Sequence, residues 1–301
     1  MSLLVTGSIG IDTVDAPSGT VENVLGGSSI YFAYAAGFFG PVRLVGVVGS
    51  DCPKGLLEPI EGNPNIDLSG LEVRKNSKTF RWHGRYHEDV NQRETVSVDL
   101  NVLAEASPDI PDGFRDSEYV FLANTSPGLQ LELLHQLKGP KLTVADTMDI
   151  WITNHRGDLH KLTANLDGLV LNDSEARLMT GRTNLVEACS QISESVKRFV
   201  VVKKGEHGCL LCGEGQFSSY PAWPSRNVVD PTGAGDSFAG AMMGYLAAAD
   251  AVDTASIRRA VAYGTVVASF TLEDFSLRRL YEISREDIDR RLKEFKDLTS
   301  F

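Results

Sequence analysis

Short apolar runs alternate with helix-period segments along most of this chain, and no other feature narrows its folding options as far. The runs LLVTGSI, VRLVGVV, YVFLAN, KLTVAD, DGLVLN and RFVVVKKG have the length and composition of buried strands. Between them, SSIYFAYAAGFF, PGLQLELLHQLK and the stretches beginning near Asp173 and Asn184 carry helical spacing, and three more helices are expected after residue 235. Strand and helix in alternation predict an α/β fold: a mainly parallel sheet flanked by helices on both faces, with its sites at the carboxyl ends of the strands. With no internal repeat and no low-complexity linker, residues 1–301 are expected to form one domain.

One region breaks the alternation. Residues 74–100, RKNSKTFRWHGRYHEDVNQRETVSVDL, show polar-aromatic alternation and a turn signal at EDVNQ. They are expected to form a β-hairpin that joins the segment around residues 12–22 in a small sheet outside the main core, acting as a lid. His83 and His87 stand four apart there, which on a helix would suit a metal. On a strand the spacing puts them about 13 Å apart, too far for one ion. Cys209 and Cys212 make a lone CxxC in HGCLLCG, which reads as a short strand whose positions three apart face opposite sides.

Charge and hydropathy exclude several function classes. The formal net charge of -11 leaves no basic stripe for nucleic acid. No window reaches 18 uninterrupted apolar residues, and MSLLVTGSIGIDTV lacks the basic start and small-residue cleavage site of a secretory signal. No membrane and no nucleic-acid partner are therefore expected, and the location is expected to be cytoplasmic. Four scattered cysteines do not make a disulfide framework.

The chemistry concentrates in DPTGAGDSFAG, residues 230–240. The string follows SRNVV, read as a strand end, and runs into SFAGAMMGYLAAA, where Phe238, Met242, Tyr245 and Ala249 recur at helical spacing. Gly233, Ala234 and Gly235 are thus expected at a helix N-terminus, where free N–H groups and the helix dipole favour an anion such as phosphate. Asp236 beside that site would repel the phosphate. Its presence makes sense if it takes a proton from a hydroxyl attacking phosphorus. Competing phosphate motifs are absent: there is no G-x-x-x-x-G-K-[ST], and TGSIGID fails the dinucleotide fingerprint at Ile9.

As a whole string, DPTGAGD resembles the second signature of the PfkB carbohydrate kinases, the ribokinase-like family. The resemblance extends through Gly26 and Gly27, through FFGPVRLVGVVGSDCPKG with Gly40, Gly46, Gly49, Asp51 and Gly55, through NDSE at Asn172 and Glu175, and through VVVKKGEHG. It implies a ribokinase-like fold and an ATP-dependent phosphotransferase that moves the γ-phosphate to a primary hydroxyl of a sugar. Asp236 would be the general base, and the backbone of Gly233, Ala234 and Gly235 the anion hole. Asn172 and Glu175 would organise magnesium through water, although Asn at an N-cap with Glu three residues on is also a common helix start. Lys203, Gly205, Asn172 and Thr232 would approach ATP. Asp230 with Thr232 would hold a monovalent cation such as potassium, as in some members. On the acceptor side Asp12, Gly26 and Gly27 would hold the sugar, with Trp82 and Tyr86 from the lid. The family's usual asparagine five residues after the first of the paired glycines is Tyr31 here, assigned to the acceptor pocket as well. That change and the lid aromatics keep a nucleoside, of the adenosine kind, open as acceptor. A non-catalytic sugar or nucleotide sensor is the other alternative, and a homodimer through the lid is the expected assembly.

Overall fold

A computed structural model describes residues 1–300. Its strands are β1 (Leu3–Thr6), β2 (Gly10–Ala16), β3 (Gly19–Gly26), β4 (Val42–Gly49), β5 (Ile66–Arg74), β6 (Phe80–Tyr86), β7 (Arg93–Asp99), β8 (Tyr119–Leu122), β9 (Leu142–Asp146), β10 (Gly168–Asn172), β11 (Phe199–Lys203), β12 (Cys209–Gly213) and β13 (Gln216–Tyr220). The helices are α1 (Ser28–Gly37), α2 (Glu58–Glu61), α3 (Pro127–His135), α4 (Asp149–Asn154), α5 (Arg156–Thr163), α6 (Asp173–Thr180), α7 (Leu185–Ser193), α8 (Ala234–Ala249), α9 (Thr254–Thr271), α10 (Arg278–Glu282) and α11 (Arg285–Thr299).

Nine strands form the main sheet in the order β13-β12-β11-β10-β9-β8-β1-β4-β5. All its pairings are parallel except those of β12 with β11 and β13. Apolar residues on both faces of each central strand make this possible. Leu3 and Val5 join a core with α1, α8 and α9, while Leu4 turns to the other face, where Leu133, Leu162, Ala176 and Ala188 supply the packing of α3, α5, α6 and α7. Cys209 and Cys212 follow the same rule, one in each core, as two buried free thiols. The chain leaves β1 toward β4 on one side and returns to β8 on the other. The carboxyl ends of β1 and β8 therefore border a topological switch point, where open α/β sheets form their ligand crevices.

The remaining four strands form a second sheet in the order β3-β2-β6-β7, so the two interrupting segments do meet. β2 runs parallel to β6, with Asp12 opposite Trp82, and each of the two makes an antiparallel hairpin with its outer neighbour. One face carries Asp12, Val14, Trp82 and Tyr86; the other carries Asp15, which bonds His83 Nε2 at 3.0 Å and Arg85 at 3.3 Å.

Several local expectations are corrected. SRNVV is not a strand; Val229 instead donates its N–H to Leu272 O at 2.8 Å, tying an irregular loop to the end of α9. The helix of the signature string, α8, begins at Ala234, and with it four helices rather than three close the chain, because a short α10 precedes α11. Strands β5 and β13 and helices α2, α4 and α5 lie outside the sequence expectations; β5 and β13 are edge strands with polar, partly exposed sequences and so lack a buried apolar run.

Candidate active site

The start of α8 is built on a glycine that no other residue can replace cheaply. Gly233 is the N-cap with φ of 76°, the left-handed region, and a Cβ there would collide with the ring of Tyr31. Tyr31 thus forms the floor of the loop. It is only 2% exposed, its ring packed beneath the loop. The anion-hole expectation also changes in one member: Ala234 N–H is engaged by Pro231 O at 3.2 Å. Among the described residues, the N–H groups of Gly233, Gly235 and Asp236 have no such partner and remain free donors at the helix start.

Two cations approach that space. Lys203, at the carboxyl end of β11, places Nζ 2.5 Å from where a Cβ on Gly235 would stand, so only glycine leaves room for the ammonium over the loop. Asp236 lines the cleft with part of its surface accessible, yet the surrounding protein pushes its carboxyl from its usual 3.8 to about 6, against the pull of Lys203 and Arg93. An acid held there is ionised at neutral pH but closer to the range useful for accepting a proton.

The acceptor side forms around Asp12, which is 4% exposed and whose Oδ1 has no hydrogen-bond partner. Burial first, then the charges of Asp230 and Asp236, raise its carboxyl to about 8. A buried carboxyl with an unpaired oxygen is a costly arrangement in the empty protein and a ready receptor for hydroxyl donors. Gly26 faces it directly: a Cβ there would stand 2.8 Å from Oδ1 and closer still to Oδ2. Gly27, with φ of 102°, lies against the Ser8 backbone and opens α1. Trp82 is half-buried; its ring covers Gly84 and its Nε1 donates to Thr95 Oγ1 at 3.3 Å.

The second sheet is joined to the signature loop. Thr232 Oγ1 donates to Tyr86 Oη at 3.2 Å, and Ser18 Oγ donates to Val229 O at 2.6 Å. Burial raises the Tyr86 hydroxyl to about 12, so it stays protonated. Asp230 is 1% exposed, accepts Thr232 N–H at 2.8 Å through Oδ1 and leaves Oδ2 unpartnered. On the far side of the cleft Asn91, in the β6–β7 turn, reaches Glu206 at 3.5 Å and closes over Gly205.

Asn172 and Glu175 form a reciprocal capping box at the start of α6: Glu175 N–H donates to Asn172 Oδ1 at 2.8 Å, and Asn172 N–H to Glu175 Oε2 at 2.7 Å. Glu175 remains largely buried, its carboxyl raised by that burial and lowered by Lys203. A third carboxylate here was missed from the sequence. Asp146 ends β9 beside β10, is 7% exposed, has Oδ1 unpartnered, and is held far above its usual range by burial, then by Asp236. The available signal was a lone carboxylate closing the apolar run KLTVAD at the carboxyl end of a parallel strand. Among the described residues, no three His, Cys, Asp or Glu side chains enclose a metal by themselves. A magnesium bound chiefly by phosphates and water requires only one or two carboxylates, and the free oxygen of Asp146 beside Glu175 fits that need.

The chain is similar to known proteins over nearly its whole length. Residues 3–282 match the family described as pfkB family carbohydrate kinase. A cytidine kinase of Thermococcus kodakarensis is 31% identical over 252 residues, 82% of this chain and 88% of that protein. Among solved structures, a nucleoside kinase of Burkholderia thailandensis in complex with inosine superposes with a TM-score of 0.78 at 18% identity, covering 97% of this chain and 98% of that one. A ribokinase of Thermotoga maritima gives 0.72 at 22%, covering 97% and 99%. The α/β sheet with its smaller companion is the ribokinase-like fold. With a family match across nearly the whole chain and a carboxylate, a glycine loop and a lysine gathered at the start of α8, the chain belongs to the pfkB family of carbohydrate kinases and is an ATP-dependent carbohydrate or nucleoside kinase.

Proposed function

We propose that this kinase phosphorylates the primary hydroxyl of a nucleoside. The observation that carries the reading is the register of β2 and β6: Asp12 and Trp82 are direct neighbours, so a carboxylate suited to paired sugar hydroxyls and an indole suited to a flat base share one face. The cytidine kinase of T. kodakarensis, covered over most of its length, supports the same choice over a free sugar.

In this reading Asp12 accepts two acceptor hydroxyls, with Gly26 and Gly27 leaving room for them. Asp236 takes the proton of the attacking hydroxyl, and the N–H groups of Gly233, Gly235 and Asp236 stabilise the transferring phosphoryl group together with Lys203. Lys203, Gly205, Asn172 and Thr232 border the ATP side. Asp146 and Glu175 would hold magnesium, which when bound supplies positive charge to the phosphate oxygens. Asp230, with a buried unpaired oxygen, would take a monovalent cation such as potassium behind the loop. The small sheet, carrying Trp82 and Tyr86, acts as the lid that excludes water.

ADP release over a panel of free pentoses, free hexoses and purine and pyrimidine nucleosides tests the proposal. A nucleoside should exceed every free sugar in kcat/KM by about 10-fold or more, the size of a buried apolar contact. A free sugar at the top of the panel would refute it.

A further inference from the structure

Helix α3 buries Pro127, Gln130 and Leu133, every third residue, as the face it lays against the sheet. That spacing asks for an apolar side chain at position 130. The chain places an amide there instead, 0% exposed and one turn before the core residue Leu133. Burying an amide costs free energy unless its atoms are bonded, and Oε1 of Gln130 has no partner among the described residues. Packing alone does not account for the residue, whereas the bonds of its Nε2 do.

α3 is the crossover between β8 and β9, and the amide reaches both strands at their carboxyl ends. The register of β8 with β9 stops at Leu122 and Ala145. Past that pair the two strands turn to opposite neighbours: Ala123 donates its N–H to Thr6 O at the end of β1, at 2.7 Å, and Asp146 pairs with Val170 of β10. Gln130 Nε2 fills the opening between them, donating to Leu122 O at 2.7 Å and lying 3.3 Å from both Ala123 O and Asp146 O. One amide group thus ties three carbonyls across a place where the sheet's own ladder has ended. The third carbonyl belongs to Asp146, whose carboxylate leaves Oδ1 unpartnered, so the aim of that carboxylate depends on where its backbone is held.

We infer that Gln130 is a positioning residue, which holds the carboxyl end of β9 against β8 so that Asp146 meets magnesium in company with Glu175. It touches neither nucleotide nor acceptor and makes no bond to the metal. A side chain of the same volume without donors would leave the three carbonyls unpaired and let the strand ends part, carrying the Asp146 carboxylate with them. The idle Oε1 agrees with this role, since the position uses the amide only as a donor. The inference rests on the magnesium role proposed for Asp146, and the experiment measures that role separately.

Calorimetric titration with ADP, once in magnesium and once in EDTA, gives two affinities whose ratio reports how well the protein holds the metal. Gln130→Met keeps the volume and removes the donors; it should lower that ratio by about 10-fold, with the affinity for metal-free ADP within about threefold of the parent. Its kcat should fall at limiting magnesium and recover in excess, with the acceptor KM unchanged. Leu133→Ala, on the same face of α3, should lower the melting temperature and leave the ratio in place, a split that a merely structural amide would not show. In an Asp146→Asn background Gln130→Met should change the ratio by less than about threefold, because the two residues act as a unit. Should Gln130→Met not fold, Gln130→Glu, which keeps the shape with at most one donor in place of two, carries the same test with a loss of about fivefold. An equal loss with and without Asp146, or a ratio for the Gln130 variant within about threefold of the parent while Asp146→Asn lowers it, overturns the positioning role alone. A parental ratio in Asp146→Asn itself overturns the magnesium reading and the inference with it.

Discussion

Gly26→Ala isolates the placement of one carboxylate. The backbone at Gly26 is outside the left-handed region, so alanine brings no conformational strain of its own. Its Cβ would stand 2.8 Å from Asp12 Oδ1, about 0.6 Å inside ordinary van der Waals contact, and deeper still into Oδ2. Asp12 is 4% exposed, so its carboxylate must shift or the strands must part. Overpacking of this kind costs about 1–3 kcal/mol of stability. The displaced carboxylate loses its hydroxyl partners, which should raise the acceptor KM by about 10- to 100-fold with the KM for ATP little changed. Urea denaturation followed by tryptophan fluorescence, alongside steady-state kinetics, reads both effects. The three nearest atoms all belong to the Asp12 carboxylate, so the substitution should cost much less in an Asp12→Ala background. An unchanged acceptor KM, or the same stability cost in both backgrounds, would refute the reasoning.

Three further outcomes follow from the same geometry. Asp12, raised from 3.8 to about 8, binds more protons folded than unfolded, so the unliganded protein should lose stability as pH rises from about 4 to 8; melting curves across that range should flatten in Asp12→Asn. For Asp236, raised to about 6, kcat/KM should climb with pH through that value as the base ionises, and a pH-rate profile flat from 5 to 7 would contradict it. Tyr86→Phe removes the acceptor of the Thr232 hydroxyl; kinetics and denaturation should show a rise in acceptor KM with a stability loss of about 1 kcal/mol.

The architecture was legible because it rests on local pattern. A buried parallel strand must be apolar on both faces, and runs such as RFVVVKKG and DGLVLN satisfy that requirement without reference to the rest of the chain. The edge strands IDLSGLEVR and QFSSY need no such pattern and were not recognised. The signature loop was legible through its glycines and its acid. What sequence could not supply was what stands next to them. Tyr31 is one turn into α1 and about two hundred residues from Gly233, yet its ring is the reason position 233 is glycine. Asp146 joins the candidate site only because β9 lies beside β10, and Asn91 reaches Glu206 only because the β6–β7 hairpin folds back onto the cleft. Ala234 shows the converse: its place in the motif suggested a free N–H, and a single turn hydrogen bond to Pro231 removes it.

The account turns on Asp236 as the base. Asparagine at this position keeps the size and one acceptor oxygen, removes the charge that opposes phosphate and cannot take the proton. Calorimetric titration of Asp236→Asn with ATP, paired with its turnover under saturating substrates, separates binding from chemistry. The variant should bind ATP at least as tightly as the parent while losing kcat by about 100-fold or more. If it keeps more than about a tenth of the parental kcat, Asp236 is a helix-terminal carboxylate and not the base.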